Sequence, residues 1–179
     1  MDDPGSPTDG DMSREATVIV SNEQSDVELD ADRWALLAGD ALRAEHRHGE
    51  LTLTFVDRAE MALLNGEHMG KSGPTDVLSF PLDSLEAKLP WSMPTVGPVL
   101  LGDVVICPSV AAEAAPDHAG TLDDELALLT VHGVLHVLGH DHVDLEEAET
   151  MQQRELELLM AHHWRGPVPA GFVHEQESP

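Results

Sequence analysis

The chain has 179 residues, one cysteine, and a formal net charge of -25 from 34 acidic and 9 basic side chains. That length supports one hydrophobic core, the single cysteine excludes an internal disulfide framework, and no apolar run is long enough to span a membrane. So acidic a chain, with no Tyr, three Phe and three Trp, cannot hold RNA by a basic face or an aromatic stacking platform.

Residues 1–15 are rich in Asp, Gly, Pro and Ser and predict a disordered acidic tail. The start Met1-Asp2-Asp3-Pro4 has neither the charged nor the apolar region of a secretory signal, which predicts a cytoplasmic protein. One domain is expected over residues 16–163. Residues 16–20 read as a short strand through Val18, Ile19 and Val20. Asp32 starts a helix whose Trp34, Leu37, Ala38, Ala41 and Leu42 recur at helical spacing, which makes Trp34 a core residue and not a platform for bases. Leu51, Leu53 and Phe55 alternate with Thr52, Thr54 and Val56 as a strand with one face more buried. Asp57 and Glu60 make a capping-box-like start for a helix anchored by Met61 and Leu64.

Residues 66–74 then read as a polar loop, one wall of a substrate cleft, leading into a strand over 75–80. Residues 83–98 carry Pro90, Pro94 and Pro98 and predict a surface loop or partial lid. Residues 99–107 are the most apolar strand and are expected at the centre of the sheet. A helix from Pro108 uses Val110 and the alanines up to Ala115. Thr121 caps the next, whose Leu122, Leu126, Leu128, Leu129 and Leu135 run almost all round, as in a buried element. Asp144 and Glu147 open a last helix with Met151, Leu158 and Leu159 toward the core, and residues 164–179 read as a flexible tail. Together these elements predict an α/β (α+β) domain, a small mixed β-sheet of about four strands with helices packed around it.

Residues 132–142 carry most of the chemistry. They read His-Gly-Val-Leu-His-Val-Leu-Gly-His-Asp-His and place histidines at i, i+4 and i+10. His132 and His136 project from one helical face, one turn apart, and Gly139 can take the left-handed conformation that ends the helix and brings His142 round as a third ligand. Three neutral imidazoles leave a zinc ion its full charge and an open position for water, as in catalytic sites. Nickel or another divalent ion fits the same donors. His140, one residue out of register, replaces a ligand or, on the favoured reading, faces solvent. Cys107 is a candidate fourth ligand, but after Val104-Val105-Ile106 it reads more readily as a small buried hydrophobe. Asp141 accepts a ring N–H, caps the turn, or serves as general base. Asp76 and Asp103 hold backbone or loops around the cleft.

The zinc proteases with H-E-x-x-H-x-x-G-x-x-H share this spacing, but their general base is the Glu after the first His, and here that position is Gly133. A ligand frame without that base suits a phosphodiester better than a peptide. The chain resembles the YbeY-type single-strand-specific endoribonucleases that mature ribosomal RNA in bacteria. His132 to His142 looks like the family's H-G-x-L-H-x-x-G-x-D-H, Thr75-Asp76-Val77-Leu78-Ser79-Phe80-Pro81 like its T-[DN]-V-L-S-F-P strand, and Leu101-Gly102-Asp103-Val104-Val105-Ile106 like its L-G-D-[IV]-x-I strand. One departure concerns a phosphate-binding arginine found in many members. Counting from Leu64-Asn65, its position holds Met69, and Lys71 two residues on is a point charge without arginine's two-pronged grip.

The resemblance implies a metal-dependent endoribonuclease with one Zn2+ on His132, His136 and His142, acting on single-stranded ribosomal RNA in ribosome biogenesis or quality control. It also implies a ribosomal setting with contact to a small-subunit protein or an rRNA-processing GTPase. RNA is then gripped locally, by the ion, backbone amides and cations such as Lys71 and Arg58, or is delivered by a protein partner, unless the acidic surface serves solubility alone. Two alternatives stand beside this: a zinc-stabilised ribosome-assembly adaptor, and a metallohydrolase of another substrate, peptides included.

Overall fold

The computed structural model describes residues 15–82 and 99–174. Four strands, β1 (Ala16–Asn22), β2 (Gly49–Phe55), β3 (Val77–Pro81) and β4 (Leu100–Ile106), form one sheet in the order β1-β2-β4-β3. β1, β2 and β4 run parallel, and β3 pairs antiparallel with β4 at the edge. This is the small mixed sheet the sequence predicts. β4 is buried along most of its length and sits between β2 and β3, as its near-continuous apolar run requires. In β2, Leu51, Leu53 and Phe55 are fully buried while Thr52 and Thr54 are half-buried, so alternation sets which face meets the core.

Among the described residues, five α-helices pack around the sheet: α1 (Ala31–Ala44), α2 (Arg58–Met69), α3 (Pro108–Ala114), α4 (Leu122–Val137) and α5 (Leu145–His162). Polar caps start three of them where the sequence says. Asp57 accepts from the Glu60 amide at 2.9 Å, Thr121 from Asp124 at 3.1 Å and Asp144 from Glu147 at 2.9 Å. α1 begins slightly before Asp32 because Asp30 is its cap. α4 packs against β3, β4, α1 and α5, which fits a helix apolar nearly all round. Trp34 is buried in the main core. A smaller cluster of Val56, Met61, Leu78, Val105 and Cys107 is separate from it.

Three expectations differ from the structure. The loop expected from residue 66 starts later, because α2 continues to Met69, and Asn65 Nδ2 donates to the Gly73 carbonyl at 2.8 Å to pin the shortened loop. The strand expected from residue 75 begins at Val77, because Asp76 Oδ1 accepts from the Val77 amide at 2.8 Å and turns the chain locally. The tail expected from residue 164 is folded back as far as His174. There Trp164 Nε1 donates to Asp124 at 2.7 Å, Phe172 meets the Trp164 ring edge-on at 4.9 Å, and the Val173 amide donates to the His118 carbonyl at 2.9 Å. Two aromatic rings in a Gly/Pro-rich stretch gain more by burial than composition alone suggests. The loop or lid expected over 83–98 lies outside the described residues, as do residues 1–14 of the expected N-terminal tail. Among the described residues, no helix is long and apolar enough to cross a membrane.

Candidate metal centre

The last turns of α4 carry His132 and His136 on one face, half-buried, with their rings 4.5 Å apart and edge-on. The helix then closes with paired bonds from the Gly139 amide to the His136 carbonyl and from the His140 amide to the Leu135 carbonyl, each 3.0 Å. That reversal needs a left-handed residue, and Gly139 has φ +97°. The turn returns His142 to 5.0 Å from His136 and 6.0 Å from His132, between ring centroids. Nitrogen atoms from the three rings all lie within 4.8 Å of one another.

Gly133 comes directly after the first histidine but faces away from this group, into the sheet. A Cβ built there would lie 2.5 Å from Val104 Cγ1 and 3.4 Å from Ser79 Oγ, and the Ser79 hydroxyl donates to the Gly133 carbonyl at 3.2 Å. The residue that serves as base in the zinc proteases is here the contact at which α4 lies directly on β3 and β4.

One residue in contact with the histidine group is not evident from the sequence. Glu155 of α5 is 2% exposed; its Oε1 accepts from His132 Nδ1 at 2.6 Å and its Oε2 from His174 Nε2 at 2.5 Å. Burial pushes this carboxyl up, but the bonds from the two imidazoles outweigh it and hold the group at about 2. With Nδ1–H committed to a carboxylate, His132 keeps Nε2 as a lone-pair donor. Burial, then the neighbouring His132 and His142 rings, push His136 down from 6.5 to about 4, against the pull of the His140 backbone and Asp141. His136 is therefore neutral near pH 7 and able to donate a lone pair.

His132 and His142 line a cleft of about 430 Å³, walled by apolar Val77, Leu128, Leu129 and Met151. Asp76, Asp117, Glu125 and Glu155 also line it, and among the described residues no Lys or Arg does. Three imidazoles, one held neutral by its surroundings and one oriented by a carboxylate, fit a divalent ion that prefers nitrogen donors. No fourth His, Cys, Asp or Glu joins the group among the described residues, which leaves room for an exchangeable ligand.

The remaining sequence candidates fall elsewhere. His140 turns toward Glu45, with Nε2 3.5 Å from its carboxylate. Cys107 is fully buried in the smaller cluster, the hydrophobic role its neighbours suggested. Asp141 accepts from the His142 amide at 2.7 Å and so caps the turn. Asp76 holds backbone at the cleft wall, whereas Asp103 pairs within the sheet opposite Thr52 and Phe80. Arg58 is tied to Ser109 and Glu113 of α3, and Lys71 is exposed; neither lines the cleft. Met69 ends α2 and is 48% exposed.

A solution structure from Thermotoga maritima aligns with a TM-score of 0.51 at 22% identity, covering 84% of this chain and 91% of that one, and shows the same fold. Endoribonuclease YbeY of Acidothermus cellulolyticus is 44% identical over 153 residues, covering 83% of this chain and 92% of the relative. That of Thermobifida fusca is 45% identical over 152 residues, with 83% and 94% covered. The match to the Mycolicibacterium gilvum protein is 50% over 110 residues, 62% of either chain, so the alignment spans about three-fifths of that relative. Residues 19–163 match the family described as endoribonuclease YbeY, and the chain belongs to that family.

Proposed function

We propose that this protein is a zinc-dependent endoribonuclease that cuts single-stranded RNA during ribosomal RNA maturation in the cytoplasm. The observation that carries this reading is the three-imidazole cluster at a cleft, in a chain of the endoribonuclease YbeY family. A zinc ion bound to His132, His136 and His142 supplies a Lewis acid for a phosphoryl oxygen and lowers the pKa of water. Glu155 engages His132 Nδ1, which leaves Nε2 as the nitrogen this ring would offer to the ion. Leu128, Leu129 and Met151 give the cleft a dry wall. Gly133 offers no proton acceptor, which counts against peptide hydrolysis.

The acidic lining bears on how RNA arrives. Among the described residues the cleft presents Asp76 and Asp117 and no Lys or Arg, and carboxylates repel a phosphate chain, so the cleft fits a substrate held mainly by the ion and brought by a ribosomal or ribosome-assembly protein. The same lining favours, as a second reading, a zinc-stabilised assembly adaptor. Chelation separates the two. The purified protein is expected to cut a single-stranded ribosomal RNA fragment but not its duplex, to lose this on dialysis against a chelator, and to regain it with stoichiometric zinc. A zinc-replete protein that never cuts RNA above a mock purification, and whose melting temperature falls sharply on chelation, is the adaptor. Zinc-dependent turnover of a peptide library would instead identify a peptidase.

Met69 offers a gain-of-function test. Its exposed position at the end of α2 tolerates a long polar side chain, and a guanidinium there adds a phosphate contact worth about 1 kcal/mol. Met69→Arg is expected to lower KM for single-stranded RNA about fivefold at unchanged kcat. An unchanged KM means that position 69 does not reach the phosphate path.

A further inference from the structure

We propose that His174, which lies beyond the family match over 19–163, is a positioning residue for the metal centre, acting through Glu155 on His132. This rests on reading His132, His136 and His142 as metal ligands. Glu155 occupies a core position of α5, on the stripe with Met151, Leu158 and Leu159, where a carboxylate is tolerated only if both oxygens are satisfied. His132 satisfies one oxygen and His174 the other. Without His174, Oε2 is buried without its donor, and Glu155 is free to turn away from His132.

The orientation of His174 is fixed in turn. The Gln152 amide nitrogen meets both His174 Nδ1 and the His174 carbonyl, the latter at 3.2 Å. A carbonyl accepts only from N–H, so the amide nitrogen is correctly placed and Nδ1 is an acceptor. The ring's N–H is therefore on Nε2, aimed at Glu155. The segment that delivers it is anchored independently of the metal ligands, by Trp164 to Asp124, by Phe172 to Trp164 and by the Val173 amide to the His118 carbonyl. A relay of Gln152, His174, Glu155 and His132 thus runs from the C-terminal segment to the nitrogen offered to the ion.

The test uses the full chain and zinc in competition with a chromophoric chelator, together with the visible spectrum of the cobalt(II)-substituted protein. His174→Ala and His174→Phe, the second keeping a ring against Phe172, are each expected to raise the zinc dissociation constant about tenfold and to shift the cobalt bands. His174→Gln, with an N–H at similar reach, is expected to stay within about threefold of the wild type. Zinc binding and a cobalt spectrum unchanged in the Ala and Phe variants overturn the inference, even where the metal-free melting temperature falls, because the segment is then an anchor only. A Gln variant as weak as Ala also overturns it, since a donor alone does not restore the site. A wild-type protein that binds no zinc overturns the metal-centre reading itself, and this inference with it.

Discussion

Replacing His136 by alanine is expected to strip the bound ion and cut single-stranded RNA cleavage by about 10³-fold or more while the protein stays folded. His136 is the ring nearest both others, with centroids 4.5 Å from His132 and 5.0 Å from His142, so its loss leaves two imidazoles that lie 6.0 Å apart. Two imidazoles alone do not retain zinc against dialysis, and the several kcal/mol supplied by a Lewis acid convert to that rate loss. The helix itself should not suffer. Alanine is the best residue for a helix interior, and the change removes a half-buried imidazole that burial already drives toward its neutral form. The metal-free melting temperature should therefore stay within about 4 °C of the metal-free wild type. Elemental analysis and an RNA gel on identically purified proteins check this together, and a zinc-free variant that cleaves at the wild-type rate would remove the metal from the mechanism.

How much of the molecule is legible in its sequence depends on the range of each interaction. His132, His136 and His142 lie within one helical turn and one glycine reversal, so helical period and the conformational freedom of Gly139 are enough to group them. β4 can be placed centrally because burial on both faces writes itself as a nearly continuous apolar run, interrupted at Gly102-Asp103. Glu155 cannot be paired with His132 in this way, because their contact joins two helices and no period connects them. The available signal is weaker: a carboxylate in step with Met151 and Leu159 on an otherwise apolar stripe. His174 is harder still. Its stretch reads as a tail by composition, and the contacts that turn it back, Phe172 on Trp164, Trp164 on Asp124 and the Val173 amide on the His118 carbonyl, all reach across the fold. The extra turn of α2 is hidden because Gly66 looks like a breaker but lies inside the helix, which runs on through Glu67 and His68.

The second large effect is expected at Gly133, where the question is whether the glycine is there for chemistry or for packing. A methyl group at this position would sit 2.5 Å from Val104 Cγ1, and Val104 is a fully buried, β-branched residue of the central strand with nowhere to withdraw. Overpacking of that kind costs about 1–3 kcal/mol. Exchanging glycine for alanine in a helix returns about 1 kcal/mol, so the net expectation for Gly133→Ala is a loss of about 1 kcal/mol. Gly133→Glu should be far worse, because it forces a charge into the same contact without a partner, and it should yield unfolded protein and not a peptidase. Val104→Ala tests the cause. Alone it should cost roughly 2 kcal/mol through lost burial, but in that background Gly133→Ala should become stabilising, with a coupling of at least about 1 kcal/mol. Denaturant unfolding of the four proteins of this cycle measures it directly. If Gly133→Ala is as stable as the wild type, α4 can ride off the sheet and the glycine is not required for packing. If the sign reverses with Val104→Ala, the glycine sets how closely the helix that carries His132 and His136 approaches the strand beneath it, and hence where those two rings stand relative to His142.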